Sequence, residues 1–107
     1  MIKMFEKDLS LCRLYDLYSP LLSEKKREVF EMYFCDDFSL SEIAVHTNIS
    51  RQAVRDLLNR TTQELRDYEE KLQLFEKQTK ITDILNQLAK TSNENIKTEI
   101  EKIISNL

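Results

Sequence analysis

The sequence predicts an all-helical protein built round a helix-turn-helix, and three observations carry that prediction. There is no glycine and a single proline among 107 residues, while 33% of them are charged, a composition of few tight turns and long exposed helix faces. Apolar residues recur at steps of three and four along most of the chain, which is the spacing of one helical face. The stretch LSEIAVHTNISRQAVRDLLN, residues 40–59, holds a helix start, a turn and a second helix start at the intervals that two steeply crossed helices need.

The elements follow in order. A first helix runs from about Met4 to Tyr18, with Phe5, Leu9, Cys12 and Tyr15 on one side, and ends at Ser19-Pro20 because proline disfavours helix at the residue before it. Ser23 caps the next helix, SEKKREVFEMYF, whose apolar side is Val29, Phe30, Tyr33 and Phe34, and CDDFS leads on from it. Ser39 and Glu42 stand three apart, as a reciprocal capping box requires. Ile43 and Ala44 then face the second motif helix, Ala44 where the crossing leaves no room for a larger side chain. Asn48 falls where the turn needs a left-handed backbone; with no glycine available, asparagine is the next most tolerant residue. Ile49 drops beneath the turn, Ser50 caps the second helix, and Val54 and Leu57 bury its inner face.

Nothing in the sequence stops that second helix early. Leu58, Thr61, Leu65, Tyr68, Leu72 and Phe75 continue at steps of three and four, a short heptad seam. A helix from Arg51 to about Lys77 would be roughly 40 Å long. The seam predicts either a homodimer through Leu65, Tyr68, Leu72 and Phe75 or packing on the chain's own C-terminal helices. Those helices are marked by Ile81, Ile84, Leu85 and Leu88, then by Ile96, Ile100, Ile103, Ile104 and Leu107, with TSNEN between them supplying a turn and caps. The expected organisation is a helix-turn-helix domain with its N-terminal helix over residues 1–62. The extended helix and C-terminal helical segment, which would dimerise, then occupy residues 63–107.

A net charge of −3 argues against simple duplex binding, for which a basic excess is usual. The charge is uneven, however: residues 51–60 carry Arg51, Arg55 and Arg60 against Asp56 alone, whereas residues 67–76 carry Asp67, Glu69, Glu70 and Glu76 against Lys71. Helical spacing turns Ser50, Arg51, Gln52, Arg55, Asp56 and Asn59 outward. All of these except Asp56, together with Arg60, form the candidate nucleic-acid-binding set. Arginine grips phosphate or pairs bidentately with guanine, and glutamine and asparagine suit adenine. The alternative is a solvated face of a scaffold helix. Asp56 favours that alternative, because a carboxylate there repels phosphate unless it accepts from a cytosine amine or pairs with Arg60. Lys25, Lys26 and Arg27 either touch phosphate or form a solvated helix start. Phe30, Tyr33, Phe34 and Phe38 read as core, since a helical chain offers no sheet on which bases could stack.

Other function classes are set aside on composition. Cys12 and Cys35 are far apart and the only histidine is His46, too few ligands for zinc, so both cysteines are expected as reduced thiols at packed helix positions. There is no P-loop and no nucleophile–base pair with defensible spacing, so no enzymatic activity, cofactor or metal is expected. No apolar run approaches the roughly 20 residues of a membrane span and MIKMFEKDLS lacks a signal core, so the expected location is the cytoplasm.

Two resemblances add to this reading. Leu22 to Arg60 resembles the fourth region of bacterial sigma factors, in which L-x-x-x-x-R-x-V-F precedes S-x-x-E-I-A and S-x-x-A-V. Almost the whole chain, from LYDLYSPLLSEKKREVFEMYF through SRQAVRDLLNRT to LRDYEEKLQLFEK, resembles the YlxM family of small helix-turn-helix proteins. It departs from the family pattern mainly at Val45-His46-Thr47-Asn48, which leaves the fold untouched. The resemblance implies an all-helical, non-catalytic protein acting in or regulating the signal recognition particle pathway. It implies as partners nucleic acid (promoter DNA or the particle's RNA) or the particle's GTPase, on which the same fold would dock as a protein-interaction module.

Overall fold

The computed structural model describes residues 9–91 and 93–107, so Met4 and Phe5, where the first helix was expected to begin, lie outside the described residues. Among the described residues six α-helices follow one another: α1 (Leu9–Tyr18), α2 (Glu24–Phe34), α3 (Leu40–Thr47), α4 (Arg51–Leu72), α5 (Leu74–Lys90) and α6 (Glu94–Ser105), with a 3-10 turn at Ser19–Leu21. There is no strand among the described residues. The helices form two compact units that divide between Leu72 and Gln73, so α4 runs unbroken through residues 62 and 63.

In the first unit each connection is held by a local device. Pro20 sits in the 3-10 turn, Ser23 accepts from the Lys26 N–H at 3.3 Å, and Arg27 Nη1 donates to the carbonyls of Ser19 (3.3 Å) and Leu22 (3.2 Å). That guanidinium binds the α1–α2 corner together. The next corner turns on Asp37, left-handed at φ 58°, and the Phe38 N–H returns to the Met32 carbonyl at 2.9 Å.

α1, α2 and α3 each pack on α4. Val29, Leu40, Ile43, Val54 and Leu58 form a buried cluster, ringed by Met32, Tyr33, Phe34, Phe38, Ala44, Ile49 and Leu57. Tyr15 stacks on Phe30 (centroids 4.3 Å) and Phe30 on Phe34 (4.4 Å); Phe30 is fully buried, while Tyr33, Phe34 and Phe38 are half-buried against the core. Tyr15 Oη donates to Glu31 at 2.9 Å, and burial with that neighbouring carboxylate pushes its phenol well above the ordinary range.

The recognition helix is shorter than the seam implied. α4 has 22 residues, about 33 Å at 1.5 Å each, and stops at Leu72 because Gln73 turns left-handed (φ 55°, ψ 33°). Leu58 and Leu65 have no exposed surface, Thr61 has 1%, and Tyr68 packs its ring on Tyr18 at 5.8 Å while Tyr18 Oη donates to Glu69 at 2.7 Å. The first three seam positions are therefore covered within the unit, and Tyr18 of α1 lies against the fourth. Leu65 is not available to a second chain; Tyr68 is half-buried, Leu72 is exposed, and Phe75 lies past the break on α5.

In the second unit α5 and α6 form a hairpin. Asn93 caps α6 by accepting from the Ile96 N–H at 3.0 Å, the cap expected from TSNEN. Its one buried side chain among the described residues is Ile100. No described helix is long and apolar enough to cross a membrane.

Candidate nucleic-acid interface

The α3–turn–α4 motif is built from its caps inward. Ser39 Oγ accepts from the Glu42 N–H and the Glu42 carboxylate accepts from the Ser39 N–H, each at 3.1 Å. Those hydrogen bonds from Ser39, backbone first, hold the Glu42 carboxyl below its usual range. Asn48 follows α3 at φ 56° and ψ 37°, the left-handed turn expected there. Ser50 Oγ accepts from the Ala53 N–H at 3.0 Å and so starts α4. Ile43 and Val54 are fully buried where the helices cross, and Ala44 and Ile49 pack against the same cluster. His46 stacks on Phe38 with centroids at 5.1 Å.

This frame turns Ser50, Arg51, Gln52, Arg55, Asp56, Asn59 and Arg60 to solvent, all of them exposed. Most of them line two depressions. Arg51, Gln52 and Arg55, with Leu40 of α3, line a shallow depression of about 390 Å³. Asn59 and Arg60 line a broader groove of about 700 Å³ with Lys26, Gln63, Glu64, Arg66 and Asp67. Sequence reasoning missed Arg66; its signal was the seven-residue step from Asn59, which returns to the same face.

The charges sort themselves differently from expectation. Asp56 does not pair with Arg60: its Oδ1 accepts from Gln52 Nε2 at 3.0 Å, so the glutamine amide and the carboxylate occupy each other. Among the described residues no carboxylate lies within ion-pair distance of Arg51, Arg55, Arg60 or Arg66. The Lys25–Arg27 cluster, by contrast, is engaged internally. Lys25 reaches Glu28 (3.8 Å), Lys26 reaches Glu64 (3.2 Å), and Arg27 is turned onto backbone carbonyls.

Cys12 is half-buried, but Cys35 is exposed where α2 ends, a correction to the packed position expected of it. Partial burial of its sulfur, with Cys12 and the carboxylate of Glu31 nearby, pushes the Cys35 thiol up.

Comparison with known proteins agrees with this architecture. Residues 5–106 match the model of the UPF0122 family, described as "Putative helix-turn-helix protein, YlxM / p13 like". A UPF0122 protein of Halalkalibacterium halodurans is 48% identical over 85 residues, covering 79% of this chain and 78% of the relative. One from Geobacillus is 46% identical over 85 residues, covering 79% and 77%. One from Fusobacterium nucleatum is 38% identical over 104 residues, covering 97% and 98%. The chain belongs to the UPF0122 family of YlxM- and p13-like helix-turn-helix proteins.

Proposed function

We propose that this chain is a non-enzymatic regulatory protein of the cytoplasm that binds nucleic acid through the first three turns of α4. The observation that carries the reading is the pair Arg51 and Arg55, exposed, without a carboxylate partner among the described residues, and beside the α3 start, where a recognition helix meets bases and backbone. Ser50, Gln52, Asn59 and Arg60 complete the surface, with Arg60 able to follow the strand toward Arg66. The resemblance to YlxM proteins directs the choice of ligand to the signal recognition particle's RNA or to promoter DNA.

One observation favours a second reading. Gln52 is held by Asp56, which keeps a carboxylate on the face that would meet phosphate, and the whole chain is acidic. A docking surface for the particle's GTPase would tolerate both.

Titration of the purified chain against duplex DNA, the particle's RNA and its GTPase, at low and physiological salt, separates these readings. Nucleic-acid binding weakens with a log–log salt slope of about 0.9 per duplex phosphate neutralised and about 0.7 for single strands. Arg51→Ala with Arg55→Ala should abolish it while the fold is retained. Unchanged binding by that variant removes the recognition-helix reading, and salt-insensitive binding to the GTPase alone establishes the docking one.

A further inference from the structure

The exposed side of α4 carries one pattern twice. Gln52, Arg55, Asp56 and Arg60 recur eleven residues on as Gln63, Arg66, Asp67 and Lys71, so both units read Q-x-x-R-D with a cation four residues past the aspartate. Gln52 Nε2 donates to Asp56 Oδ1 at 3.0 Å in the first, and Gln63 Nε2 donates to Asp67 Oδ1 at 2.9 Å in the second. Each aspartate has a cation within reach on the next turn, and each is held by its glutamine instead. Among the described residues Arg55, Arg60, Arg66 and Lys71 are left with no carboxylate at ion-pair distance. A helix built only for stability would pair those charges four residues apart. The two units also line different depressions, Gln52 and Arg55 the one beside α3, and Gln63, Arg66 and Asp67 the one beside Lys26 of α2.

Helical geometry puts the units on one face. Eleven residues come to about 16.5 Å along the axis and only about 20° of net rotation. Round that face the side chains fall into lanes. Arg51, Arg55 and Arg66 lie within about 60° of one another, Gln52, Asn59 and Gln63 over roughly the next 60°, and Asp56 and Asp67 just beyond. Arg60 and Lys71 follow at about 180–200° from Arg51. An amide-and-carboxylate lane thus runs down the middle with a line of cations on either side, and every one of these residues is exposed. Glu64, inside the second unit, lies past the second cation line and is engaged by Lys26 (3.2 Å) and Tyr68 Oη (3.3 Å). Glu69 and Glu70 mark the far end of the face.

We infer that Gln63, Arg66 and Lys71 form a second contact unit for duplex DNA, so that α4 lies lengthwise in one major groove from Arg51 past Arg66. This rests on the reading of α4 as a recognition helix, and it extends the contact beyond the first three turns and names the ligand. The lanes select that ligand. A strip of hydrogen-bonding groups between two lines of cations fits base edges between two lines of phosphates, Arg51, Arg55 and Arg66 following one strand and Arg60 and Lys71 the other. The B-form major groove is about 12 Å wide and admits an α-helix. The A-form major groove of duplex RNA is deep and narrow, and side chains do not read it. A helix whose polar face stays uncovered for roughly 22 Å, from Arg51 to Arg66, needs the wider groove. The repeat also accounts for an acidic chain as a DNA binder, because each aspartate is tied to the middle lane by its glutamine and the cations flank it.

The test is a salt series of fluorescence-anisotropy titrations of the full chain on mixed-sequence duplex DNA, with the same sequence as duplex RNA beside it. Arg66→Ala should lower the log–log salt slope by about 0.9, one phosphate, and weaken binding several-fold at low salt; adding Lys71→Ala should lower the slope by about as much again. Arg66→Lys keeps the charge and should restore the slope. Gln63→Ala should weaken binding and leave the slope alone, because an amide releases no counterion. Lys90→Ala removes a charge from α5 and should change neither. All four tyrosines (Tyr15, Tyr18, Tyr33 and Tyr68) precede Gln73, so their near-ultraviolet signal reports the first unit and should be unchanged in every variant. A slope unmoved by Arg66→Ala, an equal fall in Lys90→Ala, or duplex RNA bound as tightly as duplex DNA overturns the inference. If Arg51→Ala with Arg55→Ala loses DNA binding while Arg66→Ala keeps the wild-type slope, this inference falls and the reading of α4 stands. A wild-type chain that binds neither duplex takes both down.

Discussion

Replacing Leu65 by alanine separates two meanings of the same apolar stripe. Leu65 has no exposed surface inside the first unit. Truncating it removes three carbons from the interior, about 2.5 kcal/mol at roughly 0.8 per buried methylene. The space left behind raises the cost to about 3–4 kcal/mol if the helices do not collapse into it. A unit of this size is stabilised by roughly 4–10 kcal/mol in total, so a third or more of its stability goes. At about 4–8 °C per kcal/mol the midpoint falls by more than 10 °C. Leu72→Ala, at a position 44% exposed, should cost under about 1 kcal/mol. The assay is urea or thermal unfolding followed by the tyrosine near-ultraviolet signal, at several protein concentrations, because all four tyrosines lie in this unit. A core residue loses the same free energy at every concentration; a residue in a seam between chains does not. A Leu65→Ala loss below about 1 kcal/mol, or one that shrinks on concentrating the protein, would refute the assignment of Leu65 to the chain's own core.

Three further outcomes follow from the motif itself. Asn48→Gly should change the first unit's stability by less than about 0.5 kcal/mol, whereas Asn48→Val should cost about 1–2 kcal/mol because a β-branched residue resists the left-handed region, both read by the same unfolding signal. The Glu42 carboxyl is held low in the folded chain by Ser39. Its folded value lies below its unfolded one, so the capping contribution is present above the unfolded value and is lost as pH falls through the folded one. Carbon-detected NMR titration should find its midpoint below that of an exposed glutamate, and Ser39→Ala, which keeps the backbone donor, should raise it only in part; a wild-type midpoint no lower than that of an exposed glutamate would mean the capping box is not formed. Asp56→Asn removes the one carboxylate in the 51–60 stretch and should tighten nucleic-acid binding several-fold at low salt, with less gain at physiological salt. Weaker binding in that titration would mean the carboxylate itself accepts from the ligand.

What could be read from the sequence was whatever is decided locally. Ser39 with Glu42, Asn48, Ser50, Ser23 and Asn93 each act within three or four residues of themselves, and each takes the role its spacing assigned. The break at Gln73 was not legible, because glutamine carries no preference for the left-handed backbone that glycine or asparagine would have announced. Asp37, which turns the α2–α3 corner, is by contrast a residue type that tolerates that backbone and lies in the CDDFS connection. The occupant of the Leu58–Tyr68 stripe was hidden for a different reason: a period of three and four says that a face is covered and is silent on what covers it. The candidate site shows the same division. Outward positions followed from helical phase, but Asp56 had Gln52 four residues before it and Arg60 four after it, and spacing alone does not choose between them. Arg27 looked like one more surface cation until the α1–α2 corner gave it two carbonyls to hold.

α4 explains why the chain can be acidic overall and still present a basic face. One stripe of the helix, Val54, Leu58, Thr61 and Leu65, is the wall against which α1, α2 and α3 assemble, and it takes no part in the exposed chemistry. The exposed remainder of the helix holds Arg51, Arg55, Arg60 and Arg66, spread round it and free of ion pairs among the described residues, while Lys25 and Lys26 are paired with Glu28 and Glu64. Unpaired cations set a local potential that acidic residues elsewhere on the chain offset only weakly, since salt limits charge interactions to about 10 Å or less, whereas Asp56, Glu64 and Asp67 on α4 itself offset it directly. The two sides are set by different residues at different helical phases. Substitutions on the arginine side should therefore alter binding without altering stability, and substitutions on the leucine side should do the reverse. A stability loss above about 1 kcal/mol in the Arg51→Ala, Arg55→Ala variant would contradict that separation and make the face a structural one.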